Sequence, residues 1–164
     1  MLTTSKKLLL AANKRYYAVG AFNISNLEIL QGIVRAAERQ RSPAIIQTTE
    51  GAVEYAGMRY LRDMVYSAAK QTWVPLALHL DHGRDLGLIR QAIKSGYTSV
   101  MIDGSSYPLE QNVAMTKKVV QWAHRKGVSV EAELGTIGGT EDTVSSRTIL
   151  FTDPDSAVDF VEQT

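Results

Sequence analysis

The sequence predicts an α/β fold with a parallel β-sheet. Short apolar runs rich in β-prone residues alternate with longer segments in which apolar residues recur at the helical period. One run and one helical segment together span roughly 25–30 residues, the usual size of a βα unit. Such an alternation places neighbouring strands parallel to one another. The 164 residues (1–164) are expected to form one domain.

Five strands and six helices are predicted along the chain. The stretch TTSKKLLLAANKR forms an amphipathic helix with Thr4 or Ser5 as its N-cap. The predicted strands are residues 17–22 (YAVGAF), 44–47 (AIIQ), 74–80 (VPLALHL), 99–102 (SVMI) and 128–134 (VSVEAEL). The later helices are residues 26–39, 58–70, 86–94, 109–126 and 155–164. Several of them show an apolar stripe or a glycine stop signal.

Composition excludes several classes of protein. Apolar residues make up 45% of the chain and charged residues 21%, which suits a protein with a hydrophobic core. Lys+Arg 18 nearly balances Asp+Glu 17, so partners are not expected to be nucleic acid or a membrane surface. The absence of cysteine rules out disulfides and thiolate metal sites, and it fits a cytoplasmic location. The first apolar run is too short for a signal peptide or a membrane span.

Polar residues follow every predicted strand. They are Asn23, then Thr48 to Glu50, Asp81 to Gly83, Asp103 to Ser105, and Glu133 onwards. Both an open doubly wound sheet and a closed (β/α)8 barrel place functional groups at the carboxyl ends of strands. Five such ends in a row converge on one rim only when the strands curve around a common axis, which favours the barrel. No G-x-G-x-x-G follows the first strand, so the dinucleotide fold lacks its main signature.

The stretch HLDHG carries two of the three histidines of the chain. The period of a strand places His79 and Asp81 on one face, with His82 at the strand end. His79 has apolar neighbours and is expected to be a buried core histidine. His82 beside Asp81 suits a zinc site, in which the carboxylate either binds metal or acts as an acid/base. Asp85 is the better cap for the next helix, and His124 is expected at a helix surface.

Three further acids are candidates for the same rim. Asp103 ends the fourth strand, either as a turn residue or as a site residue. Glu131 and Glu133 share one strand face, and buried carboxylates need a cation nearby. We expect a salt bridge for Glu131 and a site role for Glu133. The segment GTIGGTEDT that follows has three glycines and two acids and is typical of a mobile loop.

Four stretches together resemble the class II, zinc-dependent ketose-bisphosphate aldolases, which include fructose-1,6-bisphosphate and tagatose-1,6-bisphosphate aldolases. They are AFN at 21–23, HLDHG at 79–83, SVMID at 99–103 and VEAELGTIGGTED at 130–142. The resemblance covers essentially the whole chain. It implies a (β/α)8 TIM barrel, of which about the first five βα units are present. It also implies Zn²⁺, a phosphorylated sugar substrate and a homo-oligomer, either dimer or tetramer.

The resemblance also assigns roles to residues. His82 matches a zinc ligand, and Asp103 and Glu133 match acids that support or transiently bind the metal. For the catalytic acid/base the match is Asp81, which serves the hydroxyl next to the scissile bond. Glu141 matches the group that moves the proton on dihydroxyacetone phosphate. Where the family contacts substrate the chain has Asn23 and Thr49.

The resemblance implies parts that this chain lacks. The family takes two more histidines from beyond its fifth strand, and none of the three histidines here follows Glu133. A barrel of this kind typically needs about 250 residues. We therefore expect the N-terminal part of an aldolase, inactive alone, with two open sheet edges and an apolar interior. The alternatives are a non-catalytic half-barrel that dimerises through those edges and a different zinc lyase or hydrolase.

Overall fold

The structure is a computed structural model that describes residues 1–136 and 150–164 in full, and the backbone alone of residues 139–141 and 144–146. Its main sheet has five parallel strands in the order β1-β2-β3-β4-β5. The strands are β1 (Gly20–Asn23), β2 (Ala44–Thr48), β3 (Leu76–Gly83), β4 (Ser99–Ile102) and β5 (Ser129–Ala132). Each strand pairs with its neighbours in sequence, and the order never reverses. Doubly wound sheets contain such a reversal, so this order confirms the barrel prediction over the open sheet.

Helices precede the sheet and connect its strands. They are α1 (Ser5–Arg15), α2 (Leu27–Gln40), α3 (Glu50–Ala56), α4 (Met58–Gln71), α5 (Leu86–Ser95), α6 (Leu109–His124) and α7 (Pro154–Gln163). Asn26 and Asp85 cap α2 and α5 with their side-chain oxygens, and Thr4 rather than Ser5 caps α1. These caps satisfy amide groups that a helix start would otherwise leave unpaired. The predicted helices are therefore confirmed to within a few residues.

Three elements were not predicted. Helix α3 begins directly after β2, where Thr49 Oγ1 accepts a hydrogen bond from the Ala52 amide. Its seven residues are too few for an apolar period to stand out from the sequence. In the glycine-rich segment, β6 (Gly139–Glu141) and β7 (Val144–Ser146) form an antiparallel pair where we expected only a loop.

Burial differs between the two faces of the sheet. One face packs against the helices that connect the strands, through side chains that are almost fully buried, such as Ile46, Leu78 and Ile102. On the other face Leu8 of α1 packs against Ile45 and Ala77. A fully buried side chain of this size contributes about 1.5–3 kcal/mol to folding, so the helix-covered face is the main source of stability.

The face that carries α1 is more polar than predicted. Ser5 Oγ of α1 lies 2.7 Å from Ser99 Oγ and 2.8 Å from Ser129 Oγ, which ties the helix to β4 and β5. Gln47 and His79 lie on this face as well. β1 and β5 are the edges of the sheet, as expected. The interior that was expected to be apolar carries hydroxyl, amide and imidazole groups beside the apolar side chains of Leu8, Ile45 and Ala77. In the described part of the chain, no helix has the length and apolar character needed to cross a bilayer.

Candidate metal centre

A β-bulge shapes the end of β3. Leu80 pairs with Val100 and Gly83 pairs with Ile102, so Asp81 and His82 together oppose a single residue of β4. Such a bulge breaks the alternation of side chains and turns one residue toward a new direction. A Cβ atom at Gly83 would lie 2.6 Å from the Met101 carbonyl oxygen. Only glycine therefore allows β3 to approach β4 this closely at position 83. At this bulge, His82 departs from the regular alternation of side chains along β3.

His82 has an unusual backbone conformation. Its φ angle is 46°, in the left-handed region that most side chains avoid. The imidazole Nδ1 lies 3.4 Å from Asp103 Oδ2 and 3.6 Å from Glu133 Oε2. A strained residue whose side chain meets two carboxylates is characteristic of a functional site.

His82, Asp103 and Glu133 form a group whose ligand atoms all lie within 4.8 Å of one another. The side chains are 20%, 4% and 16% exposed, so the group is mostly withdrawn from water. Imidazole nitrogen and carboxylate oxygen are ordinary zinc donors, and ligand atoms about 2 Å from one ion lie within about 4 Å of each other. Small side-chain movements would therefore bring these three donors onto one ion, and the residues fit the metal that the sequence implied.

Asp103 is ionised under all ordinary conditions. Burial by itself raises the pKa of this carboxyl group, but hydrogen bonds from His82, Ser105 and Arg84 outweigh it and hold the pKa well below its usual range. Ser105 donates to Oδ1 from its amide at 3.2 Å and from its hydroxyl at 2.6 Å. Arg84 donates to Oδ2 from Nε at 3.0 Å and from Nη2 at 2.6 Å. A negative charge is thus fixed beside His82.

Asp81 lies next to this group in a different hydrogen-bonding environment. Its side chain is 9% exposed, and Oδ1 accepts a hydrogen bond of 2.9 Å from Gln47 Nε2. Gln47 is the last but one residue of β2, and it pairs with Asn23 on β1 and His79 on β3. The neutral amide orients the carboxylate without adding charge, which suits a group that takes up and releases a proton.

His79 is 1% exposed, which confirms the predicted core position. Its Nδ1 lies 2.7 Å from Ser99 Oγ, whereas Nε2 has no hydrogen-bond partner and lies 3.7 Å from Glu131 Oε2. Burial, with a smaller contribution from nearby His82, lowers the pKa of His79 to about 4. The predicted Glu131 salt bridge is therefore weak: the Glu131 side chain is 55% exposed, and its partner is neutral near pH 7.

The pKa of His79 predicts acid sensitivity of the fold. Above the ordinary value of 6.5, His79 is neutral in both the folded and the unfolded chain. As the pH falls from 6.5 toward 4, the unfolded chain takes up a proton that the folded chain does not, so the free energy of unfolding decreases. Over this window the loss is expected to be about 3 kcal/mol. Urea unfolding at pH 7.5 and pH 4.5 measures it.

The matched variant is His79→Asn, because an asparagine can reach Ser99 but does not titrate. It should lose less stability than the natural chain between the two pH values. His124→Asn, at the exposed end of α6, is the control and should behave like the natural chain. Equal losses in the His79→Asn variant and the natural chain would contradict this assignment.

The other predicted site residues lie outside the metal group. Asn23 is exposed at the end of β1, and Thr49 caps α3. The side chain of Glu141 lies outside the described residues, so its predicted role stays a prediction. Sequence reasoning missed Arg84, and it listed Glu50 among the polar residues after the second strand without giving it a role. Glu50 Oε1 accepts hydrogen bonds from the amides of Arg84 at 2.7 Å and Asp85 at 2.9 Å, which fixes the turn after β3. The only signal for Arg84 was its place directly after the histidine motif.

The sequence matches the family described as Fructose-bisphosphate aldolase class-II over residues 3–164. It is 46% identical to a fructose-bisphosphate aldolase of Giardia intestinalis, over 99% of this chain and 50% of that protein. It is also 46% identical to a fructose-bisphosphate aldolase of Staphylococcus aureus strain Mu50, over 99% of this chain and 58% of that protein. The chain thus spans about half the length of these curated relatives.

Solved structures show the same fold. The crystal structure of the YdjI aldolase from Escherichia coli K12 superposes with a TM-score of 0.87 at 36% identity, over 100% of this chain and 58% of that one. A putative fructose-1,6-biphosphate aldolase from Coccidioides immitis gives a TM-score of 0.88 at 34% identity, over 98% of this chain and 57% of that one. The five parallel strands therefore correspond to part of a larger barrel.

Proposed function

Because the chain belongs to the class II fructose-bisphosphate aldolase family, we propose that it carries the proton-transfer and part of the metal-binding apparatus of a zinc-dependent aldolase. The reaction is the reversible cleavage of a ketose 1,6-bisphosphate, fructose or tagatose, to dihydroxyacetone phosphate and glyceraldehyde 3-phosphate. The observation that supports it best is the His82–Asp103–Glu133 group, whose possible ligand atoms lie within 4.8 Å of one another beside the β3 bulge that contains Asp81 and His82.

Within this proposal, His82, Asp103 and Glu133 would hold the zinc ion. When bound, zinc would supply a Lewis acid for the negative charge that develops on the ketone oxygen during cleavage. The hydrogen bonds to Asp103 lower its pKa and so favour the ionised carboxylate, the form that binds a cation.

Asp81 takes the proton from the hydroxyl group that becomes the new aldehyde. The hydrogen bond that Gln47 Nε2 donates to Oδ1 holds the carboxylate in place. Glu141 serves the proton on the dihydroxyacetone phosphate carbon, and Asn23 and Thr49 contact substrate. A homo-oligomer and a cytoplasmic location stay predictions.

The 164 residues alone are expected to show no robust cleavage of fructose 1,6-bisphosphate or tagatose 1,6-bisphosphate. The family resemblance implies two further histidine ligands, and neither remaining histidine reaches the metal group. His79 faces Glu131, and His124 lies at the end of α6. A coupled assay of triose phosphate release measures the activity, with and without added zinc. Robust zinc-dependent turnover by this chain would contradict the expectation.

A chimera tests the proposed function itself. The 164 residues replace the matched 58% of the Staphylococcus aureus relative, which supplies the rest of the barrel. The chimera is expected to cleave a ketose bisphosphate and to lose this activity when a chelator removes the metal. The unaltered relative, assayed in parallel, is the control. A folded chimera that is inactive where the relative is active would contradict the proposed function.

The second candidate is a non-catalytic half-barrel that pairs with another copy through its sheet edges. The exposed residues of β1 favour it, because an unpaired edge invites another strand. Sedimentation of the 164-residue chain distinguishes the two: a stable dimer that binds no zinc would support the half-barrel.

A further inference from the structure

Arg84 pairs with Asp103, one of the three residues that would hold the metal. Its Nε and Nη2 donate to Asp103 Oδ2 at 3.0 and 2.6 Å. The same oxygen lies 3.4 Å from His82 Nδ1. The other oxygen, Oδ1, already accepts two hydrogen bonds from Ser105. Every acceptor direction of this buried carboxylate is therefore engaged, and the oxygen nearest to His82 is held by a guanidinium group.

We propose that Arg84 competes with the metal: the guanidinium group holds Asp103 Oδ2 in the metal-free protein, and zinc binding displaces it. The inference rests on the metal site of the proposed function. A carboxylate oxygen cannot direct the same lone pair to a charged N–H group and to a cation, and the two positive charges repel each other. Arginine keeps its proton at all accessible pH values, so it can yield only by moving away.

The structure allows the side chain to move while its backbone stays fixed. The Arg84 amide donates to Glu50 Oε1 at 2.7 Å, which anchors the turn. The Arg84 side chain is 29% exposed against 4% for Asp103, so water reaches the arginine side chain more than it reaches the carboxylate. Withdrawal into water exposes Asp103 to an incoming ion and leaves Gly83 and His82 in place. The zinc affinity is then set by how much more strongly Asp103 Oδ2 binds zinc than it binds the guanidinium group of Arg84.

The test is a zinc titration of the 164-residue chain against a chromophoric chelator, with Arg84→Gln, Arg84→Lys and Arg90→Gln variants. Arg90 lies over the Trp122 ring at 5.3 Å, and its replacement removes the same charge elsewhere. Arg84→Gln is expected to tighten zinc binding by about tenfold or more, equivalent to about 1.4 kcal/mol. Arg84→Lys should also tighten it, because the paired hydrogen bonds are lost while the charge remains. Arg90→Gln should match the natural chain.

The Arg84→Lys variant separates competition from a general field effect. If it binds zinc like the natural chain while Arg84→Gln binds more tightly, charge alone explains the change and the inference is overturned. Equal affinity in the natural chain and Arg84→Gln overturns the inference but leaves the metal site standing. Absence of zinc binding from both overturns the metal site as well.

A spectroscopic readout follows the guanidinium group itself. In ¹⁵N–¹H spectra of the natural chain, the Arg84 Nε–H signal, assigned by its absence from Arg84→Gln, should shift as zinc is added. The shift should follow the same binding curve as the chelator titration. An Arg84 signal that stays unchanged at zinc saturation would overturn the displacement.

Discussion

Replacement of Asp81 by asparagine is expected to lower the turnover number of the chimera by about 10²–10⁴-fold, the usual contribution of a general acid or base. Asparagine has nearly the same shape and can still accept the 2.9 Å hydrogen bond from Gln47 through its side-chain oxygen. It cannot take a proton from the substrate hydroxyl. Steady-state kinetics at substrate saturation measure the loss in turnover.

Zinc binding separates this explanation from damage to the metal site. The Asp81→Asn chimera should bind zinc as the unsubstituted chimera does, because the metal group consists of His82, Asp103 and Glu133. Asp63→Asn, on the exposed side of α4, removes the same charge away from the site and should leave turnover unchanged. Full turnover with asparagine at position 81 would remove Asp81 from the reaction.

The second large effect concerns the metal. In the 164-residue chain, His82→Asn is expected to weaken zinc binding by at least about a hundredfold. Mutating a residue that only supports a metal ligand already weakens metal binding by about 10–100-fold, and loss of a ligand itself should cost at least as much. His82 is the only one of the three histidines that faces both Asp103 and Glu133. Equilibrium dialysis against buffered zinc measures the affinity.

Asparagine is the matched replacement because it adopts the left-handed backbone more readily than other side chains, so the bulge is retained. His124→Asn serves as the control and should bind zinc like the natural chain. Unchanged affinity in the His82→Asn variant would show that the ion binds elsewhere. Thermal unfolding of both variants confirms that the comparison is between folded proteins.

The sequence predicted the sheet and its polar rim because both depend on local patterns. Apolar runs located the five strands, glycine stops located helix ends, and caps such as Asp85 located helix starts. The prediction that residues after different strands meet is supported for His82, Asp103 and Glu133, whose strands are neighbours in the sheet. The position of each residue at the carboxyl end of a parallel strand was sufficient for this prediction.

Features that depend on tertiary contacts could not be read from the sequence. The bulge in β3 arises from its pairing with β4, and nothing in HLDHG alone fixes that register. The hydrogen bonds of Arg84 to Asp103 join residues that follow two different strands, so they depend on how β3 and β4 pair. The polar inner face was missed because Ser99 and Ser129 were counted within apolar runs, although their hydroxyls meet Ser5 of α1.

The left-handed backbone at His82 has a consequence for the evolution and engineering of this protein. A side chain in this conformation costs roughly 1 kcal/mol, and glycine would relieve most of that cost. A screen that rewards only heat resistance or expression would therefore tend to replace His82 with glycine and discard the ligand. Directed evolution of this chain therefore needs a measurement of zinc binding at every round, since stability favours glycine at position 82 whereas metal binding needs histidine.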